Sequence, residues 1–367
     1  MAEVSRIIKS TNVLEEAYKR YEYIFDEFEN VVVGFSGGKD STVTLEIALE
    51  IATKRNRLPL DVVFIDQEGE FENTITYMRR IRERPEINLH WYQMPIMINV
   101  STNMTETHLF CWDEKDKDKW IRPKEQGSIG ENVYCKKETY FNDLFNAILR
   151  KDFSDKKTAF LGGVRTEEAP KRLRGLTMGD VYKGITWGKV VTKQIIILYP
   201  LYDWTTSDIW TYIERNKLDY CKIYDLMYNI GLPLRAMRVS AIFHENSLNS
   251  LSYLAEIEKD NWNKIVNRIQ GANTVKSAEA LYSRPKELPY MFKDWKEYSE
   301  HLFDTILTED MKPVFKKGVE QRWQTYLRKL VRRETPNENK DAFWKVACNE
   351  YLRNDFCFTL LNNFLIK

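Results

Sequence analysis

No stretch of the 367 residues approaches the roughly 20 consecutive apolar positions that a membrane-spanning helix needs, and the mean hydropathy is −0.50. The opening residues, MAEVSRIIKSTNV, lack the apolar core of a secretory signal. Cysteine is scarce: five residues, at 111, 135, 221, 348 and 357, odd in number and with no CxxC pair, supply no disulfide framework. These absences together predict a cytoplasmic protein. With 15 glycines and 11 prolines the chain is neither collagenous nor compositionally disordered. Charge of one sign is lacking too, since 55 basic residues face 54 acidic ones for a net +1. Whole-chain attraction to a polyanion is therefore excluded, and any nucleic-acid contact must come from a local patch. What the chain does have is 43% hydrophobic and 13% aromatic residues, enough for one large domain and a smaller one.

The first two-thirds alternate between short β-branched runs and helical periods. Apolar residues recur at three- and four-residue steps over 13–28, a helix. The run VVVGF (31–35) is apolar throughout, as a strand covered on both faces must be. A helix from Asp40 to about Lys54 follows, then a second strand, LDVVFID (60–66), a helix (71–84) and a third strand within 89–98. After an irregular polar segment (101–137) come a helix near 138–150, strands at 158–163 and 193–200, and a helix after Asp203-Trp204. This repetition predicts an α/β fold: a doubly wound, mostly parallel sheet with helices on both faces. Past residue 240 the β-type runs stop, and Pro285, Pro289, Pro313 and Pro336 punctuate a helical remainder. The expected domains are 1–240, nucleotide-binding, and 241–367, helical.

The strand–loop–helix VVVGF-SGGKDS-TVTLEIAL carries the chemistry. In an open parallel sheet, ligands bind beyond the carboxyl ends of the strands. Gly37 and Gly38 permit a tight turn and remove Cβ atoms that would block a phosphate. The unpaired N–H groups and dipole at the helix start favour an anion, Lys39 adds a point charge, and Ser36 and Ser41 add hydroxyls. Walker A spacing is absent: three residues, not four, separate Gly34 from Gly38-Lys39, and Asp40 stands where a hydroxyl must follow the lysine. GxGxxG is absent as well. A γ-phosphate-transferring NTPase and a dehydrogenase are both poor fits.

SGGKDS (36–41) resembles the pyrophosphate loop of the adenine-nucleotide alpha-hydrolase superfamily. FIDQEGEFENT (64–74) is similar to the second-strand segment of phosphoadenosine phosphosulfate (PAPS) reductases. GVRTEEAPKR (163–172) resembles their G-x-R-x-x-E-S-x-x-R block with Ala169 in place of Ser, and PLYDWTTSDIWTYI (200–213) resembles their P-L-x-D-W block. CWDEKDKDKWIRP (111–123) and YDLMYNIGLPLRAMRVS (224–240) bring the chain nearest to the bacterial and phage proteins typified by the immunoglobulin-binding regulator A group. The resemblance implies ATP or a related adenine nucleotide, an acceptor attacking its α-phosphate, and pyrophosphate release. The nucleotide-binding residues are then Ser36, Gly37, Gly38, Lys39, Asp40, Ser41, Asp66, Gly163, Arg165 and Arg172, with Lys39, Asp40 and Arg165 catalytic. Asp40 is the candidate Mg²⁺ carboxylate, the two arginines suit bidentate phosphate recognition, and Asp66 is expected to contact ribose, adenine or the metal. Relatives commonly associate, so the resemblance is compatible with an oligomer, whose state the sequence does not specify.

Other readings compete at several residues. The reductases need a nucleophilic cysteine in a Glu-Cys-Gly-Leu-His tail, which is missing, so sulfonucleotide reduction is not expected. Cys348 and Cys357 lie on apolar helical stretches and read as core thiols. Cys111, Cys135 and His108 are spaced too loosely for a zinc site. Arg165 and Arg172 compete with ion pairing to Glu167 or Glu168, and Asp203 is a candidate for orienting substrate. Thr205 with Asp208 reads as a capping box. The stretch 316–333 sets Lys316, Lys317, Arg322, Arg328, Lys329, Arg332 and Arg333 against Glu320, beside an apolar stripe. It reads as a docked helix with a solvated basic face or as a DNA phosphate contact. The alternative to an enzyme is a nucleotide-binding regulatory subunit acting with a protein or DNA partner.

Overall fold

Val31, Val32 and Val33 are buried to within 2% of complete, and the strand that they form, β1 (Asn30–Gly34), lies in the middle of a sheet. The computed structural model describes residues 11–100, 108–136, 141–168, 182–234, 236–239, 242, 248–269, 271–272, 287–332, 340–352 and 358–366. They fall into two units, one of Met1–Met97 with Phe110–Ala241 and one of Ile98–Leu109 with Ile242–Lys367. The loan of 98–109 to the second unit is unmarked in the local sequence pattern.

In the first unit, α1 (Val13–Glu27) is capped by the Asn12 side chain, which accepts the Leu14 N–H, and it buries Ala17, Tyr21, Ile24 and Phe25. Next come α2 (Lys39–Lys54), β2 (Leu60–Ile65), α3 (Glu72–Arg82) and β3 (Ile87–Tyr92). Pro95 follows closely, and its missing N–H rules it out of a central strand. The apolar run 89–98 is accordingly split into β3 and β4 (Ile96–Asn99). The latter pairs with β5 (His108–Cys111), which lies inside the segment expected to be irregular, as a separate two-stranded sheet. After α4 (Phe141–Asp152) the chain adds β6 (Thr158–Leu161), β7 (Gly188–Val190) and β8 (Ile195–Leu198), then α5 (Thr206–Arg215) and α6 (Ile223–Asn229).

The six-stranded sheet runs β3-β2-β1-β6-β8-β7, parallel except for β7 against β8. Strand order therefore reverses at β1, which pairs with β2 on one side (Val33↔Val62) and with β6 on the other (Val33↔Leu161). α2 joins β1 to β2 and α3 joins β2 to β3 on one side of β1, and the chain then returns to place β6 on its other side; crossovers of one hand that run in opposite directions along a sheet put their helices on opposite faces. The crevice at the carboxyl ends of β1 and β6 is the topological switch point.

The second unit contains α7 (Leu248–Ile257), α8 (Lys259–Arg268), α9 (Trp295–Thr305), α10 (Lys312–Arg332), α11 (Asp341–Leu352) and α12 (Thr359–Ile366). Phe315 and Val319 of α10 join Leu302, Phe343, Ala347, Cys348, Tyr351 and Leu361 in its core. Each such burial contributes roughly 1.5–3 kcal/mol for a large apolar side chain. Pro313 lies in the first turn of α10, where its missing N–H is harmless. No helix among the described residues is long and apolar enough to cross a membrane.

Candidate functional site

The loop leaves β1 at Phe35 and enters α2 at Lys39, with Ser36 exposed and Gly37 through Ser41 buried. Gly37 has φ +73°, a left-handed turn that a side chain would strain, and a Cβ there would also meet Thr74 Cγ2 at 2.9 Å. The two serines brace the turn. Ser41 Oγ accepts the Ser36 N–H at 3.3 Å and donates to the Gly38 carbonyl at 2.9 Å, and Ser36 Oγ accepts the Gly38 N–H at 3.4 Å. Gly38 is the N-cap of α2 and supplies no side-chain acceptor.

The other half of the switch point is the turn after β6. Gly163 lies directly against the first turn of α2, where a Cβ would be 2.7 Å from Ser41 N and 2.9 Å from Asp40 C. Arg165 follows, 1% exposed. Its Nε donates to Asp40 Oδ1, Nη1 donates to Glu167 Oε2 at 3.0 Å, and Nη2 donates to Thr206 Oγ1 at 3.3 Å. Glu168 lies 3.6 Å from Nη2. Burial disfavours the Arg165 charge, but Asp40, Glu168 and Glu167 outweigh it and hold the guanidinium above its ordinary pKa. The ion pairing to Glu167 and Glu168 that competed with phosphate recognition in the sequence is present, and it is buried on the arginine side rather than lying at the surface.

Lys39, 4% exposed, turns inward. Its Nζ lies 3.2 Å from Asp40 Oδ2, donates to the Met237 carbonyl at 3.3 Å and sits 5.4 Å from the Tyr224 ring centroid. The Lys39 N–H donates to the Tyr224 hydroxyl at 3.0 Å. Both Asp40 oxygens are thus engaged by cations. The local set of Lys39 and Arg165 against Asp40, Glu167 and Glu168 leaves one negative charge in excess. Mg²⁺ takes few protein carboxylates when phosphates share its coordination. Asp40 fits that limited part only by exchanging a cation partner. Among the described residues, no three His, Cys, Asp or Glu side chains are grouped to hold a metal.

Asp66 departs from expectation. It is fully buried at the end of β2, and its carboxylate is spent inside the protein. Oδ1 accepts from Glu68 N at 2.9 Å and Arg122 Nη2 at 2.5 Å, while Oδ2 accepts from Trp91 Nε1 at 3.0 Å and Gln93 Nε2 at 2.9 Å. Arg122 Nη1 and Trp112 Nε1 donate to the Glu68 and Asp66 carbonyls. Asp66 thereby ties the segment 112–122 to the carboxyl end of β2. Asp203 is likewise taken, by a bidentate Arg20 at 2.8 and 2.6 Å. Arg172 lies outside the described residues. Tyr224 and Arg122 were legible only as members of family-like blocks, because their partners stand 185 and 56 positions away.

Residues 30–231 match the phosphoadenosine phosphosulfate reductase domain family, and the chain belongs to that family. Residues 231–331 match a domain of unknown function, DUF3440. The uncharacterized protein YbdN of Escherichia coli (strain K12) is 27% identical over 369 residues, covering 94% of this chain and 89% of that protein. Sulfate adenylyltransferase subunit 2 of Akkermansia muciniphila is 22% identical over 241 residues, 61% of this chain and 69% of that protein. Among solved structures, Candida glabrata FMN adenylyltransferase with FMN and the ATP analog AMPCPP has a TM-score of 0.36 at 15% identity, covering 60% of this chain and 64% of that one.

Proposed function

We propose that this protein binds ATP, or a related adenine nucleotide, at the 36–41 loop and transfers its adenylyl group to an acceptor, releasing pyrophosphate. An acceptor oxygen forms a bond to the α-phosphorus as the α–β bridging bond breaks. Its electron pair leaves with pyrophosphate, and the acceptor's proton passes to solvent. The observation that carries this reading is the position of a two-glycine loop at the carboxyl end of β1, beside the Gly163 turn of β6, where strand order reverses. In this reading the loop N–H groups and Lys39 stabilise charge on the leaving pyrophosphate. Arg165 exchanges a carboxylate for a phosphate oxygen, and Arg172, from its matching position in the family block, adds a second phosphate contact. Asp40 would hold Mg²⁺, which would neutralise phosphate charge there, while Gly163 lets the two halves of the site meet. Residues 1–240 form the nucleotide domain and 241–367 a helical domain of a cytoplasmic protein. The blocks 111–123 and 224–240 favour the immunoglobulin-binding regulator A-like group.

The test is pyrophosphate release with ATP and Mg²⁺, with DNA, nucleotides and cell extract offered as acceptors. Lys39→Ala and Asp40→Ala are each expected to lose about 10²-fold or more. Binding of ATP without pyrophosphate release for any acceptor would exclude catalysis.

One observation favours a second reading, a nucleotide-binding regulator that contacts DNA. Lys316, Lys317, Arg328 and Arg332 are exposed on α10. The face is narrower than the sequence suggested. Arg322 turns inward to Asn362 Oδ1 at 2.9 Å and the Gly318 carbonyl at 3.0 Å, and Lys329 donates to the Leu365 carbonyl.

A further inference from the structure

The stretch Cys221–Val239 closes over the loop from one side and satisfies the two groups that an anion would need. The Lys39 N–H is an orphan donor at the first position of α2, where no intrahelical acceptor reaches it. The Tyr224 hydroxyl fills that place at 3.0 Å. The Lys39 ammonium is taken by the Met237 carbonyl at 3.3 Å and stands near the Tyr224 ring face at 5.4 Å. At Gly38 the free space ends at the same segment, with Tyr224 Oη 3.4 Å and Val239 Cβ 4.0 Å from where a Cβ would be. Trp210 of α5 wedges the phenol ring edge-on at 5.2 Å.

We propose that Tyr224 and the Met237 carbonyl form an internal latch on the phosphate loop, in which a neutral phenol oxygen stands in for a phosphate oxygen until a nucleotide or pyrophosphate displaces it. The inference rests on the reading of residues 36–41 as a phosphate site and adds a gate to it. Burial drives the Tyr224 hydroxyl well above its ordinary pKa, with the Lys39 N–H working the other way, so it stays protonated. An uncharged acceptor holds the loop in shape yet yields to a phosphate oxygen, whose charge-assisted bonds to the same N–H and ammonium are roughly twice as strong. The latch adjoins the second family match, which starts at residue 231, and the chain enters the second unit at Ile242. Tyr224 in this scheme is a positioning residue rather than a catalytic one.

The test uses the full chain, with inorganic pyrophosphate as probe, titration calorimetry as one readout and amide hydrogen exchange as the other. Tyr224→Phe keeps the ring and removes the competing oxygen, so pyrophosphate should bind about fivefold more tightly than to the wild type, the value of one net hydrogen bond. In the wild type, pyrophosphate should slow exchange at 36–41 and speed it over 225–239; this second readout needs no variant. If both proteins bind pyrophosphate equally, or the variant more weakly, and exchange over 225–239 is unmoved, the latch is overturned while the phosphate site stands. If neither binds pyrophosphate and exchange at 36–41 does not respond, the phosphate reading itself fails and the latch goes with it.

Discussion

Glu70 shows how one side chain sets a pH response. It is 4% exposed in the turn between β2 and α3. Burial first, and the nearby Asp66 carboxylate second, push its pKa up to about 8 against the pull of Arg122. In the unfolded chain the group loses its proton near 4.5, the ordinary value. Between these limits the folded protein holds a proton that the unfolded one has released, so this residue's contribution falls as pH rises through that window. The slope is at most about 1.4 kcal/mol per pH unit. Glu70→Gln should flatten that part of the curve and leave the variant more stable than the wild type at pH 8, as read by urea unfolding at pH 5 and pH 8. Parallel wild-type and variant curves would show that Glu70 is not the group responsible. Cys348 is buried, and burial pushes its thiol up to about 12.

At the scale of elements, the site depends on two turns from opposite halves of the sheet touching through Gly163. A methyl there falls within 3 Å of the backbone of α2, and backbone cannot rotate away as a side chain can. Gly163→Ala should cost about 1–3 kcal/mol, seen as a lower melting temperature, and should weaken nucleotide binding along with it. An unchanged melting temperature would mean that the turns have room to part. Elements like these were legible in sequence where the signal is local. Thr205 and Asp208 read as a capping box, and each does bond the other's backbone N–H, at 3.1 and 2.7 Å. The parallel strands declared themselves as two-sided apolar runs. The β4–β5 ribbon did not, because its two four-residue strands are too short to show a period of their own. The fates of Asp66, Asp203 and Lys39 were hidden because Arg122, Arg20 and Tyr224 approach only after the chain has folded. Sequence marked which side chains have the right chemistry; tertiary structure decided which of them remain open to a ligand.

For the molecule as a whole, near-zero net charge means that any binding of DNA must be made by a local surface such as that of α10. Replacing Lys316, Lys317, Arg328 and Arg332 by glutamate should reduce DNA retention at low salt, and should lower the salt-dependence slope by about 0.9 for each phosphate no longer neutralised. Unaltered retention would remove the DNA reading and leave the adenylyl-transfer reading intact. The strand order has a kinetic corollary. Asn30 pairs with Thr158, so β1 meets β6 only when a loop of more than a hundred residues closes, which makes that pairing one of the slower steps open to the chain. Since the crevice is walled by those two strands, a refolding protein would gain affinity for nucleotide at the end of its journey, and a bound nucleotide would report that the sheet is whole.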